Sequence, residues 1–157
     1  MKIVLAVLCV VSYVLATEVR QCPNLGRTID DLSNRVQIGN CKKPPCRLRK
    51  DTNVAVQIKF KPDRDIKSLK TTVNANILGI EFPFVGVDGT SACKDIYKED
   101  GKTKVNCDLK AGEEYYFKSK IEVLKVYPRL KTVVHWALTD DEGKDVTCFE
   151  VPARITN

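Results

Sequence analysis

Large apolar residues alternate with polar ones along several stretches of the chain, and this alternation predicts β-strands. Between Val54 and Phe60, every second residue is large and apolar, which is the period of a strand that buries one face. Turn-forming residues separate the stretches, and no long window shows a helical period. The remaining predicted strands, from the clearest to the weakest, are residues 115–123, 132–138, 149–155, 68–80 and 28–38.

About seven short strands in one domain predict an all-β fold, a sandwich of two antiparallel sheets. Pro152 lies inside the last predicted strand. Because proline has no N–H for the ladder, its presence predicts that this strand lies at a sheet edge. An immunoglobulin domain proper would hold its tryptophan between two cysteines at a spacing that Trp136 does not have, so another kind of sandwich is expected.

The N-terminus has the pattern of a secretory signal peptide. One lysine precedes an almost wholly apolar run from Ile3 to Val14, and the small residue Ala16 precedes Thr17. The run is too short for a typical membrane span, although a membrane anchor is the alternative. We predict that residues 1–16 are removed and that residues 17–157 form a single domain outside the cell.

Six cysteines remain in the predicted mature chain, an even number that indicates three disulfides in a secreted protein. Two prolines stiffen the loop between Cys41 and Cys46, and a turn signal lies between Cys93 and Cys107. Zinc is the alternative, but the chain has no CxxC pair and a single histidine. The favoured pairs are therefore Cys41–Cys46 and Cys93–Cys107. Cys22 and Cys148 are the two cysteines that remain, and they form the third favoured pair.

The charges and candidate catalytic residues argue against several classes of function. Removal of the leader takes Lys2 and no acidic residue, so the formal charge falls from +6 to +5. The cations are spread along the chain, unlike those of a nucleic-acid-binding surface. His135 is the only histidine, and no motif pairs it with a nucleophile. We expect no catalysis, no cofactor, no bound metal and no nucleic acid; a polar turn explains acidic residues 140–142 better than a calcium site.

Residues 79–89, GIEFPFVGVDG, are apolar although a proline and three glycines make a helix or a central strand unfavourable there. If the two sheets of a sandwich separate, apolar side chains line a void that a lipid tail occupies better than water. We expect Phe82, Phe84 and Val85 to form the rim and inner wall of such a void. The alternative is a loop packed on an ordinary closed core.

Four stretches, together with all six cysteines, resemble the ML (lipid-recognition) domain family. The resemblance extends over the mature chain and is to the soluble Niemann-Pick type C two class of secreted sterol carriers and their arthropod relatives. The stretches are residues 79–84 (GIEFPF), 126–131 (VYPRLK), 133–138 (VVHWAL) and 148–152 (CFEVP).

The resemblance implies an immunoglobulin-like sandwich with an apolar cavity between its sheets and the same three disulfides. It also implies that Phe84, Val123 and Tyr127 line the ligand pocket, with Trp136 as a pocket wall or a core residue. Val85 stands where the vertebrate lysosomal members have proline. The chain also has no N-glycosylation acceptor, so extracellular fluid is the expected location.

These observations predict a secreted, monomeric carrier of one sterol or fatty acid that contacts a membrane or receptor transiently. A cationic stretch at residues 42–50 is either a solvated surface or part of such a contact. One alternative is a recognition module that presents lipid or microbial glycolipid to a receptor, and another is a structural or inhibitory sandwich with a filled core. The candidate ligand-binding residues are Phe82, Phe84, Val85, Val123, Tyr127 and Trp136.

Overall fold

The structure, a computed structural model, describes residues 15–157. The predicted signal peptide, residues 1–16, lies almost entirely outside the described residues and stays a prediction. Between residues 15 and 157, no helix is long and apolar enough to cross a membrane.

Eleven strands in two sheets make up most of the described part of the chain. Two short 3-10 helices, Leu32–Arg35 and Cys93–Asp95, lie in the connections. Sheet A consists of β1 (Arg20–Gln21), β3 (Cys46–Arg49), β5 (Leu69–Ile77), β6 (Ile80–Pro83), β10 (Lys131–Asp140) and β11 (Asp145–Thr156). Sheet B consists of β2 (Val36–Ile38), β4 (Thr52–Phe60), β7 (Ile96–Lys98), β8 (Lys104–Val105) and β9 (Tyr115–Val123).

The two sheets confirm the predicted antiparallel sandwich. Sheet A has the order β1–β11–β10–β5–β6, and sheet B the order β2–β4–β9–β7–β8. One pair departs from the antiparallel pattern, because β3 runs parallel to the last residues of β11. We call the end near Val123 and Lys131 the open end, and the end near Phe60, Tyr115 and Asp140 the closed end.

Strong alternation predicts the long strands well, whereas of the two weaker stretches 68–80 contains the long strand β5 and 28–38 contains only the short strand β2. Strand β9 occupies residues 115–123 as predicted. Of the predicted strand at 28–38, only Val36–Ile38 pairs with a neighbour. The residues before it form the 3-10 helix Leu32–Arg35 or are held by single contacts, such as the bond from the Ile29 N–H to the Gln21 side chain at 2.7 Å. The five strands other than those in the six predicted stretches are two to four residues long, too short to show a period.

Pro152 does not mark an edge strand, so that prediction is wrong. Strand β11 pairs with β10 on one side and with both β1 and β3 on the other. Strand β1 pairs as far as Glu150, and β3 begins its pairing at Ala153. Pro152 therefore lies in the gap between two short neighbours, where a missing N–H interrupts neither pairing.

Large side chains from both sheets fill the middle of the sandwich. The rings of Phe117 from sheet B and Trp136 from sheet A lie 6.2 Å apart between their centroids. Both side chains, together with Phe149, are buried. This is the interdigitated packing of an ordinary sandwich, and it leaves little space between the sheets at this level.

The three predicted disulfides, Cys22–Cys148, Cys41–Cys46 and Cys93–Cys107, are all present. The first joins residues 126 positions apart and lies on the outer side of sheet A, where it packs on Ala137.

Thr17 fastens the start of the described domain to sheet B. Its backbone N–H donates to the Val36 carbonyl at 2.8 Å. Its hydroxyl donates to the Cys41 carbonyl at 2.6 Å and accepts from the Ile38 N–H at 2.9 Å. The residue is fully buried, so the first residue of the predicted mature chain is an integral part of the fold.

Candidate ligand-binding site

An apolar pocket of about 550 Å³ lies at the open end. Sheet A supplies one wall, and the connection between β9 and β10 supplies the other. The Tyr127 hydroxyl is the only polar side-chain group among the lining residues. They are Ala75, Ile77, Phe82, Pro83, Phe84, Val85, Tyr127, Pro128, Leu130 and Ile155.

The location differs from the cavity that the sequence predicts between the two sheets. No strand residue of sheet B is among those that line the pocket. The middle of the sandwich is occupied by large aromatic side chains such as Trp136 and Phe117. The apolar space therefore lies at one end, where Ala75 on β5 contributes only a methyl group to the wall.

Four of the six candidate ligand-binding residues meet around this pocket. Phe82 and Val85 form its rim and are 46% and 62% exposed. Phe84 forms its inner wall and is only 3% exposed. Tyr127 reaches the pocket from the opposite side and is half-buried.

The backbone around Phe84 is held in place by several hydrogen bonds. The Phe84 N–H donates to the Val73 carbonyl at 2.9 Å, and the Asp88 N–H donates to the Phe84 carbonyl at 2.9 Å. The Asp88 carboxylate in turn accepts from the Val73 N–H at 2.8 Å. Gly86 takes a left-handed conformation, with φ of 80°, that lets the chain turn back after Phe84. An irregular segment thus positions one aromatic ring as precisely as a strand would.

Tyr127 connects the two walls of the pocket. Its ring meets the Phe84 ring edge-on, with 5.6 Å between the centroids and 79° between the planes. Its hydroxyl oxygen accepts from the Val85 N–H at 3.0 Å. The pair therefore fixes the β9–β10 connection against the segment that follows β6.

Val123 and Trp136 do not line the pocket. Val123 is the last residue of β9 and is fully buried in the core that Phe84 also joins. Trp136 packs against Phe117, and its indole N–H has no hydrogen-bond partner among the described residues. Both residues lie deeper in the sandwich than the pocket reaches.

Several lining residues are absent from the predicted set, namely Ala75, Ile77, Pro83, Pro128, Leu130 and Ile155. Ala75 and Ile77 belong to a strand whose inward side was predictable by alternation, but alternation does not distinguish a pocket wall from a filled core. Pro128 and Leu130 follow Tyr127 closely and could have been found by extending the lining along the same connection. Ile155 gives no such signal.

Exposed apolar side chains surround the mouth of the pocket. Leu78 at the β5–β6 turn is 98% exposed, and Val126 in the β9–β10 connection is 83% exposed. Ile80, Phe82 and Val85 complete this apolar rim. A concentration of exposed large apolar residues at one place indicates a surface that contacts another apolar surface or molecule.

The strongest pairings of charges lie at the closed end, away from the pocket. Arg35 donates two hydrogen bonds to Glu114, at 2.8 and 3.1 Å, and these lower the pKa of the Glu114 carboxyl. Burial alone would raise the pKa of the Asp140 carboxyl. Hydrogen bonds from the Lys144 N–H and from Arg64 outweigh burial and lower that pKa. Among residues 15–157, no ion pair includes a lining residue of the pocket.

His135 lies beside a disulfide on the outer side of sheet A. Its ring nitrogens approach the sulfurs of Cys22 and Cys148 within 3.6 and 3.5 Å. Because these sulfurs are bonded to each other, neither is a thiolate that could bind a metal or attack a substrate.

Comparison with known proteins identifies the family. The ML domain profile matches residues 16–155. The chain belongs to the ML domain family. Its resemblance to that family, carried by the four stretches and the cysteines, is thereby confirmed.

Named relatives of this ML domain include insect and vertebrate proteins. It is 34% identical over 123 residues to the Drosophila melanogaster protein named NPC intracellular cholesterol transporter 2 homolog a, covering 77% of this chain and 78% of the relative. It is 36% identical over 110 residues to the ecdysteroid-regulated 16 kDa protein of Manduca sexta, covering 70% of each. The NPC intracellular cholesterol transporter 2 of Bos taurus is 28% identical over 121 residues, covering 76% of this chain and 74% of the relative.

Solved structures share the fold of this ML domain. A Niemann-Pick type C2 protein from the Japanese carpenter ant superposes with a TM-score of 0.65 at 24% identity, covering 77% of this chain and 89% of that one. Chicken MD-1, in a complex with lipid IVa, superposes with a TM-score of 0.52 at 18% identity and 85% coverage of each chain.

Proposed function

We propose that this ML domain is a secreted carrier that holds one hydrophobic ligand, a sterol or a fatty acid, in the pocket at the open end. The observation that carries the proposal is the pocket itself, whose roughly 550 Å³ falls in the usual range for small-molecule sites. Its lining offers apolar contacts and a single hydroxyl, which suits an aliphatic body and excludes a ligand with many buried polar groups.

The relatives support the same class of ligand. Two of the similar proteins, from the fly and from cattle, are named cholesterol transporters. The pocket holds no arrangement of nucleophile, base and acid, and none of its lining residues is charged. Binding and release, without a chemical step, is therefore the activity that we propose.

The expected affinity suits a shuttle. Burying about fifteen methylenes at about 0.8 kcal/mol each contributes roughly 12 kcal/mol. Association costs of about 4 kcal/mol or more leave a dissociation constant near micromolar. Such a carrier extracts a lipid from water and still releases it to an acceptor.

With the pocket as the structure describes it, we propose that the ligand contacts Phe82, Phe84, Val85 and Tyr127. Val123 and Trp136 lie beyond the pocket and would touch a longer ligand only if the two sheets moved apart. The apolar rim is the proposed route of exchange, because Leu78 and Val126 present apolar side chains to a membrane or a receptor there.

The direct test is extraction of the purified secreted protein with organic solvent, followed by mass spectrometry of the extract. A carrier yields a lipid at up to one molecule per chain or takes one up on incubation with sterol and fatty-acid probes. A protein that neither yields nor takes up any such lipid is not a carrier.

A paired substitution on β5 tests the site. Ala75→Phe fills the pocket from its wall and is expected to reduce probe binding by at least about tenfold, without lowering the melting temperature. Lys70→Phe places the same ring on the exposed outer side of the same strand and is the control. Equal binding by both variants and the parent would show that the ligand lies elsewhere.

A further inference from the structure

The outer side of sheet B carries a compact group of cations and aromatic rings, far from the lining of the pocket. Cross-strand pairing places Lys59 opposite Tyr116, Tyr116 opposite Tyr97, and Tyr97 opposite Lys104. Lys118 and Lys120 follow on β9, on the same side of the sheet as Tyr116. We call this group the lysine–tyrosine face; it consists of Lys59, Tyr97, Lys104, Tyr116, Lys118 and Lys120.

The two tyrosine rings hold three of these ammonium groups close together. The Lys118 Nζ lies 5.2 Å from the centroid of Tyr97 and 5.7 Å from that of Tyr116. Lys104 lies 5.9 Å from the Tyr97 centroid, and Lys59 lies 5.6 Å from that of Tyr116. Cation–π attraction thus orders side chains that would otherwise be mobile, so less freedom is lost when they bind an anion.

Most of this positive charge has no counter-ion within the described residues. Lys59 is paired with Glu99 at 3.5 Å, and Lys118 donates to the Gly101 carbonyl at 2.6 Å. Between residues 15 and 157, no carboxylate lies within ion-pair distance of Lys104, Lys118 or Lys120. The face is therefore complementary to an anion that carries several charges.

A shallow groove of about 270 Å³ runs beside these lysines. Its floor includes the small residues Gly39 and Ala55, and Lys118 and Lys120 flank it. The side chains of Gln37 and Gln57 also line it and offer amide donors and acceptors. Amides, ammonium groups and an open floor match a ligand that has hydroxyl groups as well as negative charges.

We propose that the lysine–tyrosine face binds a sulfated polysaccharide. A membrane is disfavoured because none of the large exposed apolar side chains of the described residues lies on this face, so it lacks groups to insert between lipids. A peptide that adds a strand is disfavoured because β9 is paired on both sides and the edge strand β8 is only two residues long. Sulfate groups supply negative counter-ions for the lysines that have no ion pair among the described residues, and sugar hydroxyls supply hydrogen-bond partners for Gln37 and Gln57. This binding function is separate from the lipid pocket and does not depend on it.

The test uses the full mature protein and a defined, fully sulfated heparin-type oligosaccharide, with binding measured by calorimetry. The double variant Lys104→Gln, Lys118→Gln is expected to bind at least about tenfold more weakly. The control is the double variant Lys42→Gln, Lys43→Gln, which removes the same charge from two exposed lysines of another cationic stretch. It is expected to change the affinity by less than about twofold.

A charge-neutral variant separates an organised site from simple charge attraction. Tyr97→Leu removes the ring that Lys104 and Lys118 share, and it is expected to weaken binding by about threefold. Circular dichroism and an unchanged melting temperature, neither of which needs a bound lipid, establish that each variant is folded. Lipid uptake is measured in a separate experiment. A protein that does not bind the oligosaccharide can therefore still be a lipid carrier, and a protein that takes up no lipid can still bind the oligosaccharide.

The proposal is overturned if the oligosaccharide does not bind, or if the two double variants lose affinity equally. It is also overturned if polyglutamate or vesicles of anionic phospholipid bind with the same dependence on Lys104 and Lys118, since the occupant would then be a protein or a membrane. Loss of binding when the sulfates are removed from the oligosaccharide supports it.

Discussion

The two ends of the sandwich are built on the same alternating strands, yet they differ in what holds them. At the closed end, Arg35–Glu114 and Arg64–Asp140 pair oppositely charged side chains across connections between strands. At the open end, apolar side chains such as Ile77 and Leu130 face a pocket. Ion pairs stabilise the closed end, and large buried side chains fill the middle of the sandwich. The open end can therefore keep its pocket without unfolding of the domain.

Replacement of a large residue in the middle is expected to have the largest effect on stability. Phe117→Ala removes a ring that packs on Trp136, and the free energy of unfolding is expected to fall by about 3–5 kcal/mol. Urea unfolding followed by tryptophan fluorescence measures this. Phe82→Ala, at the half-exposed pocket rim, is the control and is expected to cost about 1 kcal/mol or less. If both variants lose the same free energy of unfolding, the middle of the sandwich does not contribute more to stability than the pocket rim.

The closed end is expected to weaken next. Arg64 donates to the Asp140 carboxylate from Nε at 2.8 Å and from Nη2 at 2.6 Å. Arg64→Ala leaves a buried carboxylate with only backbone donors, which is expected to cost about 1–3 kcal/mol. Arg129→Ala, a change of the same kind at the open end, is expected to leave unfolding unchanged. A comparable loss in both variants would contradict the idea that charges fasten one end only.

Acid is expected to weaken the closed end through Glu114. Hydrogen bonds from Arg35 lower the pKa of this carboxyl below its ordinary value of 4.5. The unfolded chain therefore binds a proton first, so the stabilisation is complete above that value and is lost as the pH falls through the folded pKa. Glu114→Gln is expected to cost up to about 1 kcal/mol at neutral pH and nothing once the carboxyl is protonated.

Urea unfolding at neutral and at acid pH measures this difference. Glu122→Gln, an exposed change on β9, the strand that begins directly after Glu114, is the control and is expected to alter stability little at either pH. If the cost of Glu114→Gln is the same at both pH values, the ion pair does not contribute.

The smallest expected effect is kinetic and belongs to the open end. Tyr127→Phe removes the oxygen that accepts from the Val85 N–H at 3.0 Å. The pocket walls are then less firmly joined, and a fluorescent lipid probe is expected to leave about two to five times faster. Tyr115→Phe removes a hydrogen-bonded hydroxyl at the closed end and should not change the release rate. Equal rates in all three proteins would show that this bond does not hold the ligand in.

Local patterns predict the long strands and two of the disulfides, because alternation and short loops are properties of neighbouring residues. The third disulfide, Cys22–Cys148, joins residues 126 positions apart and is predicted only as the pair that the other two leave. The inward side of β9, with Tyr115, Phe117, Ile121 and Val123, follows directly from the period of two. The short strands β1 and β3 could not be found this way, since their pairing with β11 is set by distant residues. Pro152 is misleading for the same reason: its freedom from a ladder partner comes from a gap between those two strands.

The pocket is only partly predictable. Phe82, Phe84 and Val85 stand out because they are apolar in a stretch that a proline and three glycines interrupt. Phe82 nevertheless lies on the edge strand β6, and only Phe84 and Val85 are in the irregular part. Trp136 and Val123 enter the candidate set through family resemblance, but the side chains across the sandwich decide whether a buried residue faces a void or a neighbour. That information depends on how the sheets pack and is absent from any single stretch of sequence.

The burial of Thr17 has a consequence for the order of events during biosynthesis. A peptidase needs an accessible, extended stretch of chain around the bond that it cuts. Once the amide and hydroxyl of Thr17 are docked on Val36, Ile38 and Cys41, the bond after Ala16 is out of reach on one side. If a leader is removed at that bond, its removal therefore has to come before the domain closes around Thr17.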